Sequence, residues 1–596
     1  MDKRAEMKKR VADLRARLKA LGVQGMVIPH EDEYQNEFIP PHAERLAWAT
    51  GFTGSAGTAV VMAEKAALFV DGRYDLQAAR QVDGEIFEIH NIADKRAHEW
   101  AAEQVASGDV IAYDPWLHTL AFRDLWQHSL APAGGQLRPL AENPIDDLWA
   151  DQPAPPMGKA VPHALEYTGR TAAEKLDVIS KTVARAGARA ALITALDSVA
   201  WLFNIRGSDG PFTPVVEARA LVMGDGTAAL YIDKAKCGEG LRAHLGAAVT
   251  LCPPESLAAD LKAEAASQGI MADPNIIPLA LVQAIEEGGG RVLPAEDPCL
   301  MPRALKNPVE LEGMRRAHRR DGVALTRFLA WLDKQVAGNG VDELTAVEEL
   351  ERFRAEGEKF QGLSFDTISG SGPNGAVIHY RATEETNRTL GAGELFLVDS
   401  GGQYLDGTTD VTRTVAIGAP TAEQKDCFTR VLKGHIALGA VRFPKGTSGS
   451  SLDSLARRSL WAAGLDYDHG TGHGVGSYLN VHEGPQRISK RGGDVALMPG
   501  MVVSNEPGYY KPGAFGIRIE SLVAVREEPV TEGTRPFYSF ETLTLAPIDR
   551  RLIDVDMLDA DERQWINDYH ARVWEEISPG LDAETRDWLK AATAPL

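Results

Sequence analysis

Cysteine is scarce in this 596-residue chain. Cys237, Cys252, Cys299 and Cys427 are the only four, and no two are close enough to form a CxxC pair. That spacing excludes a Cys-based zinc motif and argues against a disulfide framework, pointing instead to reduced thiols in a cytoplasmic compartment. No apolar run approaches the ~20 residues that a membrane-spanning helix needs. The N-terminal MDKRAEMKKRVADLRARLKALG is charged along its length and lacks the apolar core of a secretory signal. Positive charge is in deficit: 63 Lys and Arg face 84 Asp and Glu, a formal net charge of −21. Such a surface repels phosphate backbones and argues against a nucleic-acid partner. Gly-rich stretches such as GFTGSAG, from Gly51 to Gly57, lack the GxGxxG or GxxxxGKS spacing of phosphate loops and read as hairpin turns. The expectation is a cytoplasmic protein that engages neither membrane nor nucleic acid.

What is present is an ordinary globular composition, 44% hydrophobic and 25% charged, in a chain too long for one core. Val11, Leu14, Leu18 and Leu21 recur at helical spacing, so the N-terminus reads as an amphipathic helix closed by Gly22. Two Pro-rich interruptions, DQPAPPM from Asp151 and DPCLMPRALKNP from Asp297, divide the chain into 1–152, 153–305 and 306–596. The first two segments look like divergent copies. AWATGFTGSAG from Ala47 aligns with AWLFNIRGSDG from Ala200, and AALFVD from Ala66 with AALYID from Ala228. Both copies read as helix, strand, Gly-rich turn and strand, an α/β pattern.

The chemistry concentrates in the third segment. The apolar run Glu394–Asp399 leads through SGGQYLDG to TTDVTRTVAIG, where Thr408, Asp410, Thr412 and Thr414 alternate with Thr409, Val411, Arg413 and Val415 as in a strand. A hairpin here brings Asp399 and Asp410 together. Further on, MVVSNEPG turns at Glu506, and FGIRIESLVAV puts Arg518 and Glu520 on one strand face. Between them lies HGTGHGVG with His469 and His473. Its spacing resembles the HxxxH of zinc helices, but Gly470 and Gly472 argue against a helix. Singly, each residue has an ordinary explanation. Together, Asp399, Asp410, His473, Glu506 and Glu520 offer four carboxylates and one imidazole. If they share a site, the four negative charges need cations, and two divalent ions balance them. The oxygen-rich donor set suits Mn²⁺, with Co²⁺ or Zn²⁺ as alternatives.

DSGGQYLDGTTDVTRT, HGTGHGVG, HEGP, NEPGYY and GIRIES, in this order and spacing, resemble the metal-site motifs of the pita-bread metallopeptidases. The whole chain, from ATGFTGSAGTAV and DGRY through NPVELEGMRRAH to the C-terminal extension, most resembles the three-domain cytosolic X-prolyl aminopeptidases, the aminopeptidase P family. The resemblance implies an α/β (α+β) fold class: two related creatinase-like N-terminal α/β domains followed by a pita-bread catalytic domain with its C-terminal extension. It implies that Asp399 binds one metal, His473 and Glu506 the other, and that Asp410 and Glu520 bridge. A water or hydroxide between the ions would be the nucleophile, with Glu506 as its base. His379, in GAVIHYRA, and His482, in VHEGP, match histidines that steady the substrate carbonyl and the oxyanion, and His469 matches one near the substrate's proline. Arg518 would pair with the ligands behind the site.

Arg73, in DGRY, reads as the partner of Asp71 at a strand end and is kept as a candidate substrate-binding residue. The implied substrates are peptides with proline in second position, and the implied assembly is a homodimer. Trp461 is either an anchor of that interface or a core tryptophan. Prolidase, which cleaves X–Pro dipeptides, is the runner-up because it shares the catalytic residues, although the duplicated N-terminal half argues for the aminopeptidase. Methionine aminopeptidase usually lacks that half, creatinase lacks the metals, and the peptide-binding pita-bread modules have lost ligands that this chain keeps.

Overall fold

The two runs singled out as copies fold alike. In a computed structural model, which describes residues 3–265, 269–336, 338, 340–529 and 535–596, each copy builds a six-stranded sheet. The first runs in spatial order Glu88–Asn91, Ala66–Val70, Thr58–Met62, Gly25–Pro29, Val110–Tyr113 and Gln136–Pro139. The second runs Val249–Cys252, Ala228–Tyr231, Arg219–Met223, Ala190–Ile193, Ile270–Ala272 and Val292–Pro294. Both mix antiparallel and parallel pairs in the same sequence across the sheet: parallel, antiparallel, antiparallel, parallel, parallel. AALFV and AALY occupy the same sheet position in the two copies, which makes duplication the simplest account of the order.

The chain divides into two compact units, Met1–Leu165 with Arg170–Leu300, and Glu166–Gly169 with Met301–Leu596. The first unit holds both duplicated sheets. One apolar cluster joins Tyr113 and Leu120 of the first copy to Leu192, Ile270 and Leu279 of the second, so the copies share a core. Helix Lys3–Ala20 buries Val11, Leu14 and Leu18 as its periodicity demands, while Leu21 falls beyond its end and Gly22 takes φ +66°. The Gly-rich stretch 51–57 is not a hairpin turn. It joins helix Arg45–Thr50 to strand Thr58–Met62, and Gly51 caps the helix in the left-handed region with its N–H donating to Ala47 O.

Among its described residues the second unit holds the long helix Pro308–Val336, five further helices of nine residues or more and several small sheets. One sheet is Ile368–Ser371, Leu395–Ser400 and Val411–Ala416, and another carries Ser521–Glu527, Val502–Asn505 and Gly472–Gly474 side by side. Two runs read from the sequence as single strands are each interrupted. Gly407–Thr408 pairs with Gly402–Tyr404 in one sheet, the chain breaks at 409–410, and Val411–Ala416 enters the next. Likewise Phe515–Arg518 pairs with Gly508–Lys511, the chain breaks at 519–520, and Ser521–Glu527 joins Val502–Asn505. Alternation cannot reveal such a break, because Val411–Ala416 is buried on both faces and its polar residues point at protein rather than water. Trp461, the last residue of helix Gly449–Trp461, is 46% exposed, so the core reading of this tryptophan is wrong.

Candidate active site

Asp410 and Glu520 sit at the two strand breaks, where the backbone leaves one sheet and enters another. The breaks are stitched together. Glu520 N–H donates to Thr412 O at 3.2 Å, and Thr414 and Arg518 exchange two hydrogen bonds between hydroxyl and backbone. His473 arrives on Gly472–Gly474 and Glu506 just past Val502–Asn505, in the neighbouring strands of the larger sheet. One ligand atom each from Asp410, His473 and Glu520 lies within 4.8 Å of the others.

The histidine is oriented for coordination. Its Nδ1 lies 2.9 Å from Gly474 O, which can only accept, so Nδ1 carries a proton and Nε2 is the nitrogen turned toward the carboxylates. Nε2 is 3.4 Å from Asp410 Oδ2 and 3.5 Å from Glu506 Oε1. Ser504 Oγ accepts from His473 N–H at 2.9 Å and donates to Glu506 Oε1 at 3.2 Å, linking these two residues from behind. Asp399 lies outside the tight set of three. Its Oδ2 accepts from Arg518 Nη2 at 2.6 Å, while Oδ1 is buried with no hydrogen-bond partner among the described residues.

Arg518, fully buried, serves as a hub. Besides Asp399 it donates from Nε to Thr412 Oγ1 at 3.0 Å and from Nη1 to Tyr510 Oη at 2.6 Å. Thr412 Oγ1 in turn donates a hydrogen bond to Glu520 Oε2 at 2.8 Å. Tyr510 Oη, having accepted from Arg518, donates to His469 Nε2 at 2.8 Å, and His469 Nδ1 donates to Gly470 O at 2.7 Å. His482 packs its ring edge-on against His473, centroids 4.4 Å apart. His379 lies in the turn after the 3₁₀ segment Gly372–Ala376, half-buried, next to Ile378, whose carbonyl faces Arg518 Nη1 at 3.4 Å. Arg73 belongs to the first unit, where its guanidinium forms the strand-end pair with Asp71, Nε to Oδ1 2.9 Å and Nη2 to Oδ2 2.7 Å.

Burial, reinforced by repulsion from Asp399 and Glu506, holds the pKa of Asp410 and Glu520 well above the carboxylate range, and burial raises Glu506 too. One guanidinium cannot neutralise four carboxylates. The donor set, with an open imidazole nitrogen and an orphaned buried carboxylate oxygen, fits divalent cations. Sequence reasoning passed over Thr412, Tyr510 and Ser504 as site residues. Thr412 was within reach, since it shares a strand face with Asp410.

Residues 312–527 match the family model for metallopeptidase family M24, and 536–596 that for the C-terminal region of peptidase M24. Residues 10–146 and 151–310 match two creatinase/prolidase N-terminal domain models. A probable Xaa-Pro aminopeptidase P of Paracoccidioides brasiliensis is 42% identical, the alignment covering 98% of this chain and 99% of the relative. The chain belongs to metallopeptidase family M24, among the Xaa-Pro aminopeptidase P relatives. A probable Xaa-Pro aminopeptidase P of Aspergillus fumigatus is 43% identical over 99% of this chain and 92% of its own. Among solved structures, an X-prolyl aminopeptidase from Caenorhabditis elegans, described as a cytosolic enzyme with a di-nuclear active site, aligns with a TM-score of 0.94. Its identity to this M24 chain is 35%, covering 99% of this chain and all of that one. The five ligand candidates all fall inside the M24 match.

Proposed function

We propose that this chain is an Xaa-Pro aminopeptidase that uses two divalent metal ions to cut the bond between an N-terminal residue and a following proline. The observation that carries this reading is the convergence of Asp410, His473 and Glu520 in a chain 42–43% identical throughout to aminopeptidase P relatives. Asp399 would hold one ion, His473 and Glu506 the other, and Asp410 and Glu520 both, with Mn²⁺ best suited to the oxygen-rich set. When bound, the ions supply an activated water and polarise the scissile carbonyl. Glu506 takes up a proton and delivers it to the departing proline nitrogen, its Oε1 steadied by Ser504. His379 and His482 donate hydrogen bonds where charge grows on the carbonyl oxygen, and His469 flanks the proline. The X–Pro bond has no N–H, so peptidases that grip that hydrogen cannot use it. A carbonyl and a protonatable ring nitrogen suffice here.

The three-domain division at 152/153 and 305/306, a cytoplasmic location and a homodimer belong to the same proposal. They are supported by the duplicated sheets, by the cytosolic C. elegans enzyme and by the exposed Trp461. Arg73 is kept as a substrate contact. Light scattering on Trp461→Glu tests the interface: a dimer that survives removes Trp461 from it. The function is tested by metal analysis together with kcat/KM on an Xaa-Pro-Pro peptide and on the matching Xaa-Pro dipeptide. Two metal equivalents and a strong preference for the longer peptide are expected. Equal or better hydrolysis of the dipeptide would make this a prolidase, and an active protein without transition metal would end the metallopeptidase reading.

A further inference from the structure

The segment that carries His469 lies in neither helix nor strand from 465 to 471, yet the imidazole must hold its place. The structure assigns that task to Arg457: we propose that Arg457 is a positioning residue that fixes His469 and, through it, sets recognition of the residue following the scissile bond. The recognition half rests on the reading of His469 given above.

Arg457 stands one helical turn after Asp453 on helix Gly449–Trp461 and is 1% exposed. Its five N–H donors are all engaged. Nε donates to Asp453 Oδ2 at 2.7 Å and Nη2 to Asp453 Oδ1 at 3.3 Å. The other three reach the segment: Nη1 to Asp466 Oδ1 at 2.8 Å and to Tyr467 O at 2.6 Å, and Nη2 to the carbonyl of His469 itself at 2.8 Å. The guanidinium also lies 3.7 Å from the centre of the Tyr467 ring, and that ring's centre is 4.8 Å from that of His469. Asp453 closes the far end: its Oδ1 accepts from Thr471 Oγ1 at 2.6 Å, and that hydroxyl sits 2.6 Å from Tyr467 Oη. The segment is thus gripped at 466, 467, 469 and 471 from a single ion pair on a neighbouring helix. A buried ion pair is weak evidence for stability. This one divides its planar fork, two donors on Asp453 and three on the backbone and side chains around His469, the arrangement in which Lys cannot replace Arg.

The test is Arg457→Lys in the full chain, which keeps the charge beside Asp453 but cannot span the carboxylate and three loop oxygens together. Two bound metals, kcat within about twofold of wild type and KM for an Xaa-Pro-Pro peptide raised about tenfold are expected, a displaced contact being costly even when it moves by about 1 Å. The double variant Arg457→Lys/His469→Ala should be no worse than His469→Ala alone. Effects that multiply instead overturn the proposal, as does an unchanged KM. Asp466→Asn, a gentler change on the loop side, carries the same test if Arg457→Lys does not fold. A second readout needs no substrate: the His469 imidazole N–H resonance in the Zn²⁺-loaded, ¹⁵N-histidine-labelled protein, assigned by its loss in His469→Ala. Broadening of that resonance in the variant supports the positioning role, and an unaltered resonance refutes it. If the wild type cleaves no Xaa-Pro peptide, the functional reading fails while this measurement still decides the positioning claim.

Discussion

Thr412 offers a single hydroxyl to two charged groups, accepting from Arg518 Nε and donating to Glu520 Oε2. Thr412→Val keeps the shape and β-branching but leaves both neighbours short of a bond. Support of this kind typically tunes metal affinity, so a loss of about 10–100-fold is expected with the fold intact, read by calorimetric metal titration. An affinity equal to wild type would remove Thr412 from the site. His379 and His482 belong to another class. As proposed oxyanion donors rather than ligands, they leave the metals in place when removed: His379→Ala and His482→Ala should keep both metals while kcat drops about 10²–10³-fold. Metal-depleted variants would erase the division between ligands and oxyanion donors. Asp410→Ala, by contrast, should lose metal outright, since it removes a proposed bridge. Residue types and order made the ligand candidates legible, because four acids and a histidine in those motifs have few other uses. Thr412, Ser504 and Tyr510 act through other side chains, and their hydroxyls could have served any strand.

At the scale of elements, close approach depends on glycine. A Cβ on Gly516 would lie 1.7 Å from Gly375 O, where the 3₁₀ segment that precedes His379 crosses strand Phe515–Arg518. Gly516→Ala must push the two apart. Overpacking of this sort costs about 1–3 kcal/mol. A lower melting temperature and a kcat reduced about tenfold with both metals retained are expected, as for a small misplacement of a catalytic group. A variant of wild-type kcat would show that the His379 turn tolerates the shift. The N-terminal helix could be read in advance because three of its apolar positions face one core at helical spacing. The duplicated sheets were readable because AALFVD and AALYID keep their place. The strand breaks at 409–410 and 519–520 were not, since what marks them is a change of pairing partner, which the sequence does not display. The exposure of Trp461 was equally hidden, because a tryptophan at the end of an amphipathic helix has the same composition whichever way it faces.

The folded molecule holds several imidazoles well below the ordinary histidine range. Burial drives His118 down to about 4 and His435 and His570 down to about 3. His570 Nε2 accepts from Ile548 N–H at 3.1 Å, a bond that protonation would break. In the unfolded chain these groups titrate near ~6.5. Between that value and their folded values the unfolded chain binds protons that the folded chain refuses. Stability is therefore full above about pH 6.5 and falls as the pH drops below it. At pH 5 each group accounts for about 2 kcal/mol. The melting temperature should fall steadily from pH 7 to pH 5, and His570→Gln, whose amide oxygen can still accept from Ile548, should lessen the fall. A melting temperature flat across that range would contradict the assignment.

The stitching of the two strand breaks has a consequence for how the chain is made. The metal-site candidates run from Asp399 to Glu520, 121 positions apart, and all of them follow the duplicated N-terminal half. During synthesis the duplicated N-terminal half is complete before the first of these residues has been added, and domains generally fold as units in that order. Asp410 meets its counterpart only when Thr412 O receives the Glu520 N–H, so a growing chain that has not yet reached Glu520 holds candidate acids without the bond that brings them together. On the proposed ligand assignment, metal loading has to wait until Glu520 has been made and folded into place.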